Sequence, residues 1–534
     1  MKGCGEVKRI TAMALAAVMA ISLCACRSNP SRDSNYLSST PPSAVQSGQS
    51  INLLYAFGDS FNPYVAATEQ NRKLCSLLYE PLVRVDNAFE PHFALAQDIV
   101  LEGTTCTVTL KSTYFTDGSA VTAQDVIHSF NLAKGSNTVY GAYFSGVASV
   151  SGTGNSVVFN LSYSDPQFIN LLTFPVLKAG SEGGHNEDGV EIPPIGSGRY
   201  YLDSTAKKML INDGYYGQKG DIKEILLINA PDNDSVSHYV EVGGCDLYFT
   251  DISDGNIVRM SGKRTDVNLN HLVYIGINSA YGNLQTKEMR YAVSAAIDRA
   301  AICQGAYYNN ATPATGYFNP AFAQTAPVQT LGKNQNLQIT VENLDKIGYN
   351  ILDGGKYYKN SSKKHAQFTL LVNAENRSRV LAARLIAEQC AAAGIEINVI
   401  ERPYAEYMSL LSANNFQLYL GEVKILPNMD MSQLVTRGGS AAFGVGREPV
   451  AIQEGAENAE PSNTATVCEG MIAAMRQGQI NAADLAGALI TEMPQIPVCY
   501  RNGTLFYSSD ISGEVTAVVD DIYCSINNFT LKNK

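Results

Sequence analysis

Apolar side chains recur three and four residues apart at Met289, Ala292, Val293, Ala296 and Ile297, so the segment after Thr286 predicts a helix with one buried face. Asp298 ends that helix and is placed to cap a second, from Arg299 to about Tyr307. Farther along, apolar runs alternate with amphipathic stretches. Residues 367–373 predict a strand, 378–393 a helix stopped by Gly394, 395–401 a strand, 404–414 a helix and 416–421 a strand. Regular strand–helix alternation implies right-handed crossovers and a mainly parallel sheet. Nearer the start, residues 106–110 predict a strand, Asp117-Gly118 a turn, and Thr122 with Asp125 a capping box opening a helix to about Leu132. Turn and cap chemistry accounts for both carboxylates, which removes the need for an acid–base pair there. Gly196 and Gly198 are spaced as in nucleotide loops, but they precede a strand-like run and lack both a third glycine and a following helix.

The first fifty residues follow no such pattern. Lys2, Lys8 and Arg9 make a basic start, and residues 10–23 are apolar yet too short to span a bilayer comfortably. Leu23-Cys24-Ala25-Cys26 then reads as a lipoprotein processing site. Small Ala25 precedes Cys26, the expected lipidation residue, whereas bulky Leu23 precedes the rival Cys24. An ordinary cleaved signal or an uncleaved anchor helix are the alternatives, and both leave the body exported. Residues 1–25 are therefore expected to be a leader. Residues 26–50, rich in Ser with Pro30, Pro41 and Pro42, are expected to be a disordered tether to the cell membrane.

The body is long enough for two or three domains, and 45% hydrophobic residues is ordinary for a globular protein. The whole chain carries a formal charge of -11, and removing a leader with three cations and one anion leaves it more acidic still. That argues against nucleic acid or an anionic bilayer as the main partner. No two cysteines beyond Cys26 lie within metal-ligand spacing and no two histidines at helical ligand spacing, so no metal and no cofactor is called for. Several of these cysteines sit in apolar runs, where a buried thiol is the simpler reading.

Five segments carry a resemblance. Leu78-Tyr79-Glu80-Pro81-Leu82-Val83, the block from Phe115 to Ser129, Ile195 to Tyr200, the helix from Arg290 to Ile302, and the closing run from Met493 to Arg501 together resemble signatures of the extracellular solute-binding proteins of family 5. That family serves peptide, dipeptide and nickel ABC importers. The resemblance implies an α/β, two-lobed periplasmic-binding-protein-like fold with an extra subdomain in the first lobe and a hinge of two crossing strands. On this reading lobe 1 is 51–270 plus 496–531, with the subdomain inserted at about 82–180, and lobe 2 is 271–488. The hinge crossings are expected near 271–276 and 492–500.

The resemblance also implies a function without chemistry: closure of two lobes on an extended solute, and delivery to a permease and its ATPase by a monomeric, lipid-anchored protein. An oligopeptide is the expected ligand, with a peptide signal for a sensor or a non-peptide solute as alternatives. Peptide binders of the family commonly place a Trp and, three residues later, an amine-pairing Asp after the last strand of the second lobe. This chain has no Trp, and Ile425 or Leu426 falls where the Asp would be. Glu422 and Asp430 are the candidate substitutes and Lys424 a candidate for a ligand carboxylate. Tyr79, Glu80, Gly421, Asn428 and Tyr500 complete the candidate cleft residues, with solvated loop charges as the plain alternative. An exported hydrolase is the competing class, but G-x-S-x-G, H-E-x-x-H and S-x-x-K with its partner motifs are all absent.

Overall fold

Two long antiparallel strands, Lys263–Ile277 and Ile496–Tyr507, pass from one hydrophobic core into another and make the hinge of a two-lobed α/β fold. The computed structural model describes residues 49–185, 191–203, 205, 207–251, 260–359, 363–447 and 463–532, all within the unit Gly48–Lys534. The leader, Cys26 and nearly all of the expected tether lie outside the described residues. The fold itself begins at the tether's expected end, because Ser50 already pairs with Glu224.

The first lobe is built on strand Ser50–Tyr55, parallel to Glu224–Asn229, with Lys208–Ile211 and Tyr200–Leu202 added antiparallel. Inserted in it is a four-stranded antiparallel sheet, ordered Ala96–Glu102, Thr105–Leu110, Ser156–Leu161 and Val147–Thr153. Helix Ala123–Gly135 covers that sheet, Phe130 meeting Phe159 edge to face at 5.6 Å. The expected capping box opens this helix: Asp125 accepts from the Thr122 backbone N–H at 2.9 Å and from its hydroxyl at 2.6 Å.

The second lobe carries most of a seven-stranded sheet. Its order is Leu247–Thr250, Ile496–Tyr507, Lys263–Ile277, Leu418–Lys424, Gln367–Asn373, Glu396–Arg402, with Ala311–Pro313 also paired to Ile496–Tyr507. Here the expectation of a mainly parallel sheet is corrected. Only Gln367–Asn373 pairs in parallel, with Glu396–Arg402 and Leu418–Lys424; the long hinge strands return antiparallel and dominate the pairing. The helices fall where periodicity puts them, at Lys287–Ala296, Arg299–Tyr307 and Arg377–Ala392, and Asp298 accepts from Ala301 N at 2.8 Å as the cap of the second.

The lobes exchange at a bulge. Asn268 pairs with Asn502 and His271 with Arg501, which leaves Leu269 and Asn270 as extra residues in one strand. Asn270 takes φ of +55°, a left-handed conformation that Asn tolerates better than most side chains. Val267, Leu269 and Leu505 lie in the first-lobe core, whereas Leu272, Val273, Val498 and Tyr500 lie in second-lobe cores. On the second strand the crossing therefore follows Arg501, just beyond the expected 492–500.

The Gly196-Ser197-Gly198 loop serves close packing. Gly198 N donates to Leu78 O at 2.9 Å, and a Cβ on Gly196 would stand 2.1 Å from Leu78 O. The loop thereby holds the end of helix Glu69–Leu78, which forms one wall of the candidate site.

Candidate ligand cavity

Helix Glu69–Leu78 is amphipathic in the simplest way. Leu74, Cys75, Leu77 and Leu78 enter the first core, and Glu69, Arg72, Lys73 and Ser76, spaced three and four apart, turn the other face toward a cavity of about 460 Å³. The C-terminal return segment supplies a second wall. Ile511, Val515, Ala517 and Ile522 bury it in the first core, which sets Val518, Val519 and Asp520 against the cavity. Its anchor is Asp521, which accepts from Arg199 Nη2 at 2.9 and 2.7 Å and from the Ser76 hydroxyl at 2.9 Å. Burial pushes the Asp521 carboxyl upward, but Arg199 and Arg84 outweigh it and hold the group below the ordinary aspartate value. Thr173 and Pro175 come from the inserted subdomain, Leu269 and His271 from the hinge bulge, and Lys424 from the end of strand Leu418–Lys424 in the second lobe.

The lobes meet beside this cavity. Asn428 Nδ2 donates to Asp165 at 2.7 Å, Asn170 Nδ2 to Pro427 O at 3.3 Å and Ser164 N to Arg476 O at 2.9 Å, while the Arg476 guanidinium lies 4.4 Å from the Tyr163 ring centre. These contacts clasp the subdomain to the second lobe. Burial in the clasp pushes the Asp165 carboxyl up to about 6, against the opposing hydrogen bond from Asn428.

At the hinge a separate charged group is packed out of water. Glu422, 7% exposed, accepts from His271 Nδ1 at 2.9 Å when that nitrogen carries a proton, from Arg501 Nη1 at 2.6 Å and from Arg379 Nη2 at 2.8 Å. Arg501 also pairs with Asp251 at the end of first-lobe strand Leu247–Thr250. Burial would raise the Glu422 carboxyl. The hydrogen bond from His271 and the charges of Arg501 and Arg379 instead hold it far below the ordinary glutamate value.

Of the candidate cleft residues, Tyr79 and Lys424 line the cavity. Tyr79 donates its hydroxyl to Pro194 O at 3.1 Å. Glu80 is fully buried and accepts from Arg84 at 2.5 Å and from the Tyr216 hydroxyl at 3.0 Å. Gly421 lies under the rings of Tyr274 and Tyr419, and Tyr500 donates to Tyr317 O at 2.5 Å inside the core. Neither Glu422 nor Asp430, the candidate substitutes for a ligand-amine contact, stands open in this structure. Glu422 is spent on Arg501 and Arg379, and Asp430 accepts from Ser432 N at 2.8 Å and faces Arg476 at 3.4 Å beside Asn428, in the clasp. Sequence reading passed over Lys73, Thr173 and Asp520. The polar face of helix Glu69–Leu78 was a usable signal for Lys73; nothing local marked the other two.

The described cysteines are all free, and all but the half-buried Cys524 are buried. Among the described residues no group of three His, Cys, Asp or Glu is arranged to hold a metal, and no helix is long and apolar enough to cross a membrane.

Residues 88–443 match the model of the bacterial extracellular solute-binding proteins, family 5 Middle. The chain is 25% identical over 406 residues to the oligopeptide-binding protein AppA of Bacillus subtilis strain 168, covering 71% of this chain and 74% of that one. It is 24% identical over 294 residues to the glutathione-binding protein GsiB of Escherichia coli K12, with 51% of this chain and 57% of the relative covered, so only a little over half of that relative's length is matched. The crystal structure of a nickel ABC transporter protein from Bacillus halodurans has the same fold, with a TM-score of 0.69 at 18% identity over 89% of this chain and 98% of that one. The chain thus belongs to the bacterial extracellular solute-binding proteins of family 5, as a non-enzymatic, extracytoplasmic substrate-binding component that works with an ABC permease and its ATPase.

Proposed function

We propose that this protein captures a short peptide between its lobes and, held at the membrane by a lipid on Cys26, delivers it to the permease. The observation that carries the reading is the cavity itself. Its volume of about 460 Å³ lies in the lower half of the roughly 300–1,000 Å³ usual for small-ligand sites, which suits a peptide of two or three residues better than a long one. Two relatives are named for binding an oligopeptide and glutathione, itself a tripeptide. The two lobes close about the bulge at Asn270, a backbone change of a few residues.

Thermal unfolding of the purified protein with di- and tripeptides, and separately with nickel–histidine complexes, tests the ligand class. A peptide at a hundred times its Kd should add about 2.7 kcal/mol of stability, and nickel–histidine should add none. Stabilisation by the nickel complex alone would overturn the reading. For the anchor, Cys26→Ala should release the protein from membranes or leave it unprocessed; unchanged retention would remove Cys26 as the lipid site.

A further inference from the structure

Most charges on the cavity wall are already engaged. Arg84 pairs with Glu80, Asp521 with Arg199 and Arg84, Asp251 with Arg501, and His271 with Glu422. Glu69 also has a partner, and Arg72 lies at the exposed edge with Nη1 on Ala67 O at 2.8 Å. Three charged groups remain. Lys73 gives one hydrogen bond to Val519 O at 2.5 Å and lies 4.6 Å from the Phe249 ring centre, without an ion pair among the described residues. Lys424 and Asp520 make neither an ion pair nor a side-chain hydrogen bond among the described residues. The wall also holds the hydroxyl of Thr173, a residue 5% exposed, with no hydrogen-bond partner.

We propose, resting on the peptide-capture reading above, that the ligand is a zwitterion whose ammonium faces Asp520 and whose carboxylate is held by Lys73 and Lys424 together. The sign follows by elimination. A purely anionic ligand would be opposed by Asp520, and a purely cationic one would meet two lysines. The first would leave Asp520 without a cationic partner from the ligand, and the second would add a cation beside two lysines. A zwitterion answers all three groups, and Thr173 offers a hydroxyl to its backbone. Lys73 belongs to the first lobe and Lys424 to the second, so a carboxylate between them ties binding to closure. Asp520 then does the work of the missing amine-pairing Asp of the second lobe, from a different segment and the opposite lobe.

The test is calorimetric titration of the full-length mature protein with a set of free di- and tripeptides, followed by N-acetylated and C-amidated forms of the tightest binder. Each cap should weaken binding to the native protein at least tenfold. Asp520→Asn should erase the penalty of N-acetylation alone, and Lys424→Met that of amidation alone, with Lys424→Arg restoring it. Peptide binding indifferent to both caps, or cap penalties identical in native and variant proteins, would overturn the zwitterion assignment and leave peptide capture standing. If no peptide binds, free or capped, the peptide reading itself falls, and the assignment with it. The comparison on the native protein needs no variant to fold.

Discussion

Glu422 and Lys424 stand two residues apart on one strand, yet their surroundings are opposite. Around Glu422, Arg379, Arg501 and His271 converge from a helix and both hinge strands, and each carboxylate oxygen is taken at 2.6–2.9 Å. Around Lys424 no counter-charge is engaged among the described residues, although Asp520 lines the same cavity. On the proposed reading, the difference separates charges that hold the lobes in register from charges left for a ligand. In a protein that must open and close, the first set has to be complete without the ligand and the second incomplete without it.

Breaking the complete set should have the largest effect. Arg501→Met leaves the buried Glu422 carboxylate and the half-buried Asp251 each short of a partner, and should cost about 3–5 kcal/mol of unfolding free energy. Lys424→Met should change the unliganded protein by less than about 0.5 kcal/mol. Denaturant unfolding of the two variants side by side checks the contrast; equal costs would erase it.

Titration should sharpen the same contrast, because the hinge and the clasp depend on pH in opposite senses. The Glu422 carboxyl is depressed in the fold, so its contribution is fully present above the ordinary glutamate value and is lost as pH falls below it toward the folded value. Asp165 is raised to about 6, so its contribution is greatest below the ordinary aspartate value and is lost as pH rises to about 6. Melting temperature against pH should therefore lose a component that declines between about pH 4 and 6 when Asp165 is replaced by Asn. An unchanged profile would place the Asp165 carboxyl outside the closed clasp.

The smallest expected effect is at Asp430. Its contact with Arg476 is 3.4 Å long and partly exposed, so Asp430→Asn should cost no more than about 0.5 kcal/mol and leave peptide affinity unchanged. A tenfold loss of affinity would return Asp430 to the ligand site.

How far the sequence alone reveals this arrangement depends on whether the controlling contacts are local. The caps at Asp125 and Asp298, the buried face of helix Lys287–Ala296 and the strand Gln367–Asn373 are set by residues within a turn or two, and periodicity finds them. The mixed sheet was hidden because antiparallel pairing of Lys263–Ile277 with Ile496–Tyr507 joins segments more than two hundred residues apart. The role of Glu422 was hidden for the same reason. Its partners Arg379, Arg501 and His271 are remote in sequence, and a charged residue ending a strand reads locally as a mouth residue. Asp520 reaches the cavity only through the return of the C-terminal segment, anchored at Arg199 by Asp521.

The most direct test of the account is native mass spectrometry of the purified mature protein, with denaturation and identification of the small molecule released. The account predicts peptides of two or three residues with both termini free. Release of a non-peptide solute, or of peptides blocked at either end, would contradict it.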